Sequence, residues 1–320
     1  MEYNEKICSK FLFVAPISSG KTTLINALLG KKLLRSSNFA CTSRDIAVLI
    51  NNRLKSTRIY LEQENGIDIV ARNIDDRKDK LVFDKTIEQS CKKMLIETYS
   101  SNTIVASKPI VFIDTPGENY SQNNEHEVVT RKALDIFEDG IIIYVLNATQ
   151  IETDDNFKIL SQVKSYINAK NMKVLFVLNK VDELDSEREN LNNFISDVVV
   201  SFIEKVNITD YMIIPCASEA ALLFRAAMKG AILSETECDK LYKYYKHFYK
   251  KQDNNFYATY ESEIRAENSE VVYDGEKYKL QNLRMALRNT GIFELEQYIS
   301  KVSTNTRAIH IKTKEKRYYE

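Results

Sequence analysis

The sequence predicts an α/β fold in which a mostly parallel central sheet is flanked by helices. Three observations predict it. Short apolar runs rich in β-branched residues alternate with longer stretches of helical period, the pattern of strands joined by covering helices. The runs are apolar almost throughout, which suits strands buried on both faces. Hydrophobic residues make up 44% and charged residues 28% of the 320 residues. That mixture builds a core and excludes a dominantly disordered chain.

Candidate strands are Phe11–Ala15, Ile46–Ile50, Ile110–Ile113, Ile141–Leu146, Val174–Leu178 and Met212–Pro215. An insertion at about 52–105 separates the second from the third. In it Arg58–Gln63 and Ile67–Arg72 flank Asn65-Gly66, a dipeptide that supplies the positive φ angles of a tight hairpin. Ile87, Cys91, Met94, Leu95 and Thr98 then recur at helical spacing, as Leu191, Phe194, Ile195, Val198 and Phe202 do later. Both stripes read as core faces of helices.

From about 219 to 305 the pattern is that of a helical extension. Ala220–Ala231 and Cys238–Lys251 read as helices, and Asp274-Gly275 as the turn of a small hairpin. Thr290 is placed to cap a last helix whose face is Ile292, Leu295, Ile299 and Val302. Residues 306–320 form a basic tail. A single domain is expected over 1–305.

The 45 Lys and Arg balance 45 Asp and Glu, against the excess positive charge that nucleic-acid binding rests on. Cysteines 8, 41, 91, 216 and 238 form no CxxC pair and stand near no His cluster, so neither a disulfide framework nor a zinc site is legible. No apolar run reaches the ~20 residues of a membrane span, and no signal-peptide pattern opens the chain. A cytoplasmic protein is expected. On 240–251, Leu241, Tyr244, Tyr245 and Phe248 share one helical face. The interleaved lysines therefore read as the border of a packing face.

The chemistry concentrates in four loops. The strand at Phe11 runs into Ala15-Pro16-Ile17-Ser18-Ser19-Gly20-Lys21-Thr22-Thr23, and a helix follows at once. Strand, loop and helix around GK[ST] form the phosphate-binding loop. Its backbone N–H groups from Ser18 to Thr23 wrap a phosphate, and the helix N-terminus adds positive potential. Lys21 reaches the β- and γ-phosphates, and the Thr22 hydroxyl ligates Mg²⁺. Ala15 stands where the usual pattern has Gly, which is tolerable at negative φ.

The second loop is Asp114-Thr115-Pro116-Gly117, with Asp114 holding Mg²⁺ through water and the Gly117 N–H sensing the γ-phosphate. The third is Asn179-Lys180-Val181-Asp182. A carboxylate at Asp182 accepts two hydrogen bonds from guanine N1 and its 2-amino group, which adenine cannot offer. Asn179 braces the loop and meets the base edge, and the Lys180 stem covers the ring. The fourth is Pro215-Cys216-Ala217-Ser218, where the Ala217 N–H reads the guanine oxygen. All four sit in order at the C-terminal ends of predicted strands, the edge at which open α/β sheets bind ligands. A P-loop ATPase has no use for Asn-Lys-x-Asp there.

These motifs resemble those of the translation-factor-like P-loop GTPases, and more narrowly of the dynamin-like large GTPases of bacteria. The narrower resemblance rests on Ala40-Cys41-Thr42-Ser43 before the strand Ile46–Ile50, and on the long stretch between Thr42 and Asp114. It rests also on Val145-Leu146-Asn147-Ala148-Thr149-Gln150 with Asp154-Asp155, and on Thr290-Gly291-Ile292 with Leu295-Glu296. It covers about residues 10–305. It implies a P-loop G domain that binds GTP and GDP and hydrolyses GTP with Mg²⁺, with Thr42 as a second metal ligand and with nucleotide-dependent homodimerisation. Lys21, Thr42, Ser18 and Gly117 are the catalytic set it implies. Charge compensation comes from the loop and the dimer partner, with Ser18 and Ser19 contributing.

Two departures qualify the resemblance. Ile17 replaces the phosphate-loop Gln of eukaryotic dynamins, and Glu118 follows Gly117 where small GTPases carry a water-orienting Gln. A nucleotide-gated switch with negligible hydrolysis is therefore a second reading. The family remodels membranes through a helical stalk, for which the chain to Glu320 has no room. The expectation is a G-domain piece of a longer protein or a short relative, with membrane contact through a larger assembly.

Overall fold

The computed structural model describes residues 8–34, 45–50, 56–63, 66–74, 93–100, 104, 106–114, 131, 133–184, 190–250 and 269–304. In chain order the elements are β1 (Ser9–Val14), α1 (Lys21–Leu29), β2 (Asp45–Ile50), β3 (Thr57–Gln63), β4 (Gly66–Ile74), β5 (Lys93–Thr98), β6 (Ile110–Asp114), β7 (Ile141–Asn147), α2 (Asp154–Lys170), β8 (Lys173–Asn179), α3 (Leu191–Phe194), α4 (Val200–Lys205), β9 (Tyr211–Cys216), α5 (Ser218–Met228), α6 (Glu235–Tyr245), β10 (Glu270–Tyr273), β11 (Glu276–Lys279), α7 (Leu280–Arg288) and α8 (Ile292–Thr304). Nine strands form one sheet in the order β4-β3-β5-β2-β6-β1-β7-β8-β9, and β10 pairs with β11 alone.

The six strands expected from apolar runs are all present. β6, β1, β7, β8 and β9 are parallel neighbours, and every residue of β7 is buried, as strands covered on both faces require. Phe112 makes edge-to-face contacts with Phe11 and Phe13, at centroid distances of 5.9 and 5.3 Å. Tyr144 lies wholly inside, and its hydroxyl donates to Asn156 Oδ1 at 3.1 Å.

The insertion extends the sheet instead of standing beside it. β3 and β4 pair antiparallel across the Asn65-Gly66 turn, and β2 runs antiparallel to β6 but parallel to β5. Glu64 and Asn65 themselves lie outside the described residues. Met94, Leu95 and Thr98, expected on a helix, lie in β5 between β2 and β3; Ile87 and Cys91 fall outside the described residues. Ile96 and Thr98 are buried while Leu95 and Glu97 are half-buried, a period of two. Two flanking strands satisfy the backbone on both sides, and that outweighs the helical spacing of the apolar residues.

The later helices follow the predicted stripes. α3 passes through a π-turn at Ile195–Val199 into α4. Leu241, Tyr244, Tyr245 and Phe248 are buried, so the aromatic face of α6 is a packing face. Asp154 and Asp155 occupy the first turn of α2, capped by Thr153, where negative charge opposes the helix dipole. The Thr290 hydroxyl corrects the expected cap: it donates back to Leu287 O at 2.6 Å and closes α7 instead of opening α8. α7 itself had no counterpart in the sequence reading.

Candidate nucleotide-binding site

Parallel pairing places the critical strand ends on one edge. Phe13 is level with Asp114, and Asn147, Asn179 and Cys216 are in register across β7, β8 and β9. The loop after β1 runs from Ala15 to Gly20 and enters α1 at Lys21. Ser18 (φ 60°) and Gly20 (φ 82°) take the left-handed backbone. Ala15 does not, so its methyl is accommodated. A Cβ at Gly20 would collide with Asn179 Nδ2, which makes glycine obligatory there twice over.

Lys21, 7% exposed, places Nζ 2.5 Å from Asp114 Oδ1. The Thr22 hydroxyl donates to Asp114 Oδ2 at 3.2 Å. A hydroxyl oxygen and a carboxylate thus meet beside an ammonium at the mouth of the loop. Oxygen donors of this type suit Mg²⁺, and the lysine suits the phosphates that such an ion accompanies. Ser19 is buried and its hydroxyl donates to Pro16 O at 2.7 Å, holding the loop's own turn. Ser18 is exposed on the loop, and Thr23 is half-buried in the first turn of α1.

Asn179 is fully buried. Its Nδ2 donates to Ser19 O at 2.8 Å and its Oδ1 accepts from Ser218 N at 3.1 Å. The expected brace is present, and it ties the phosphate loop to the loop after β9. Lys180 has φ 63° and leads into a 3₁₀ turn, Val181–Glu183, with Lys180 Nζ 3.4 Å from Glu183 Oε1. Burial pushes the Asp182 carboxyl up to about 6; its own backbone N–H opposes this, the Glu183 and Glu219 carboxylates add to it, and Lys243 opposes it.

Ala217 and Ser218 are both buried at the start of α5. The Ala217 N–H, expected to read the base, donates to Thr290 O at 2.8 Å. The corner between α7 and α8 has taken that donor, and Gly291 makes this possible: a side chain there would collide with Pro215 O. Thr42 and Gly117 lie outside the described residues.

Two groups escaped sequence reasoning. Glu219 accepts from Lys240 Nζ at 2.6 Å and from the Tyr244 hydroxyl at 2.7 Å, linking α5 to α6. Arg225 bonds Ala27 O on α1 and Glu296 on α8. A lone arginine within Ala220–Met228, otherwise wholly apolar, was the legible signal for the second, because a buried charge requires a partner.

The fold is that of a P-loop GTPase domain. The sequence profile of the dynamin family matches residues 12–181, more than half of the chain. The chain belongs to the dynamin family, and its class is that of the dynamin-like GTPases. Among solved structures it is similar to two chains of an oligomerised bacterial dynamin pair, described as sensing and tethering membranes at long range. One is 18% identical with a TM-score of 0.48, over 93% of this chain and 50% of that one. The other is 16% identical with a TM-score of 0.46, over 93% and 42%. The chain thus spans about half the length of the first of these. No curated protein matches it. Among the described residues no helix is long and apolar enough to cross a membrane.

Proposed function

We propose that the protein binds GTP and hydrolyses it to GDP and phosphate with Mg²⁺, and that pairing of two G domains stimulates turnover. The observation that carries this reading is the convergence of Lys21, Thr22 and Asp114 at the end of the phosphate loop.

When bound, Mg²⁺ would polarise the phosphate oxygens and offset developing charge; Thr22 and Asp114 would hold it, with Thr42 as the further ligand. Lys21 neutralises the β- and γ-phosphates, and the loop amides of Ser18, Ser19, Gly20, Thr22 and Thr23 orient the chain of phosphates. The Gly117 N–H holds a γ-phosphate oxygen. Water attacks the γ-phosphorus, the bond to the β–γ bridging oxygen breaks, and GDP leaves. Asp182 reads guanine N1 and the 2-amino group, and Lys180 covers the ring. With Ala217 committed to Thr290 and Ser218 N to Asn179, the N–H groups of Glu219 and Ala220 in the first turn of α5 read the guanine oxygen, since a helix cannot satisfy them internally. The protein acts in the cytoplasm, with peripheral membrane contact through a larger assembly.

Phosphate release from GTP, measured against protein concentration with a Thr42→Ala control, tests this. Specific activity rises with concentration and vanishes in the control. Tight GTP binding without turnover would favour the second reading, a nucleotide-gated switch, which Glu118 at the place of a water-orienting Gln supports.

A further inference from the structure

Both carboxylate oxygens of Glu219 are engaged from α6, Oε1 by Lys240 and Oε2 by Tyr244. Tyr244 is buried, whereas the side chains of Lys240 and Glu219 are 43% and 45% exposed. An ion pair so exposed adds little to stability. Its place in the fold is the informative part. Glu219 follows Ser218, whose N–H bonds Asn179, and Asn179 bonds the Ser19 carbonyl. One run of hydrogen-bonded residues therefore passes from the phosphate loop through Asn179, Ser218 and Glu219 to α6. The other side of the same corner is held by Ala217 N on Thr290 O and by the close approach of Gly291 to Pro215. Asp182 feels the charges of Glu219 and Lys243, and Tyr244 feels that of Asp182, so α6 shares the surroundings of the guanine-reading carboxylate.

We infer that Glu219 is a positioning residue for guanine recognition: α6 grips its carboxylate through Tyr244 and Lys240 and so fixes residues 217–219 against the base. The inference rests on the guanine-nucleotide reading above and adds to it. The helical extension completes the base pocket, while the groups that meet the phosphates, Lys21, Thr22 and Asp114, are carried by α1 and β6. Loss of the grip should therefore weaken binding of the base and spare binding of the phosphates.

Calorimetric titration of the whole chain with GDP, ADP and pyrophosphate, each with Mg²⁺, separates these terms for wild type, Tyr244→Phe and Glu219→Ala. Both variants should weaken GDP about 3–10-fold, the worth of about one ordinary hydrogen bond. Pyrophosphate affinity should hold, and KM for GTP should rise while kcat holds. Glu219→Gln, which keeps an acceptor for Tyr244, should fall between. Unchanged GDP affinity in both variants would overturn the inference. So would a parallel loss of GDP and pyrophosphate with a lowered Tm, which marks a merely structural contact. A wild type that binds GDP no better than ADP would overturn the guanine reading itself.

Discussion

Arg225 Nη2 lies 2.6 Å from Glu296 Oε1, and the two side chains are 5% and 0% exposed. The guanidinium also donates to Ala27 O and stands over the Phe293 ring. Three helices, α1, α5 and α8, meet on this one side chain.

Removing one partner leaves the other charge buried and uncompensated. Arg225→Ala or Glu296→Ala should each lower unfolding free energy by about 3–5 kcal/mol, whereas an apolar pair such as Arg225→Met with Glu296→Leu should recover most of it. Urea unfolding of the three variants checks this. A single variant as stable as wild type would contradict it.

The raised Asp182 carboxyl predicts pH-dependent nucleotide affinity. Two hydrogen bonds from guanine need the ionised form, which dominates above about 6. GDP affinity should be full at pH 7.5 and fall about tenfold for each unit below about 6. Without nucleotide the sign reverses for stability. The folded state holds this proton more tightly than the unfolded chain, so Asp182 favours folding below about 4 and that contribution is lost as pH rises through about 6. Fluorescence titration with GDP from pH 5 to 8 reads the first effect, and thermal melts the second.

Asn179→Ala should injure the fold and the site together. It strands Ser19 O and Ser218 N, both bonded to Asn179 in the folded chain, at a cost of about 1–3 kcal/mol for each buried group left unpaired. Thermal melts should show the loss, and GDP binding should weaken more than tenfold as the two loops separate.

Gly291→Ala should be destabilising although Gly291 belongs to none of the four loops. Its φ of 77° and the approach of Pro215 O leave no room for a methyl group, and a non-glycine residue in left-handed backbone costs about 1–2 kcal/mol before any collision. Gly230→Ala, at φ 69° but with open space around it, is the matched control and should lose only the backbone term.

The parallel half of the sheet was legible because a strand buried on both faces is apolar almost throughout, as β7 is from Ile141 to Leu146 and β8 from Val174 to Leu178. The four loops could be picked out in the sequence because phosphate and guanine chemistry calls for residue types at fixed spacings; in the fold Lys21, Thr22 and Asp114 meet and Asn179 joins the phosphate loop, while Gly117 lies outside the described residues. β5 was not legible, because Lys93–Thr98 shows its alternation only once the flanking strands β2 and β3 are known. Nor was the engagement of the Ala217 N–H. Its partner, Thr290, lies on the far side of α5, α6 and α7, and no local pattern announces a tertiary hydrogen bond.

The far end of α1 is fastened on several sides. Arg225 takes Ala27 O, Lys229 takes Gly30 O at 2.7 Å, and the Asn26 side chain accepts from Leu33 N and Leu34 N at 2.9 and 2.8 Å. Lys31 reaches Thr57 on β3, which in turn meets Thr98 on β5. The root of α1 is therefore shared by the inserted strands and the C-terminal helix, and its first turn carries Lys21 and Thr22 to Asp114. Any load on the phosphate end is borne at that root, where two otherwise separate parts of the sequence feel it together.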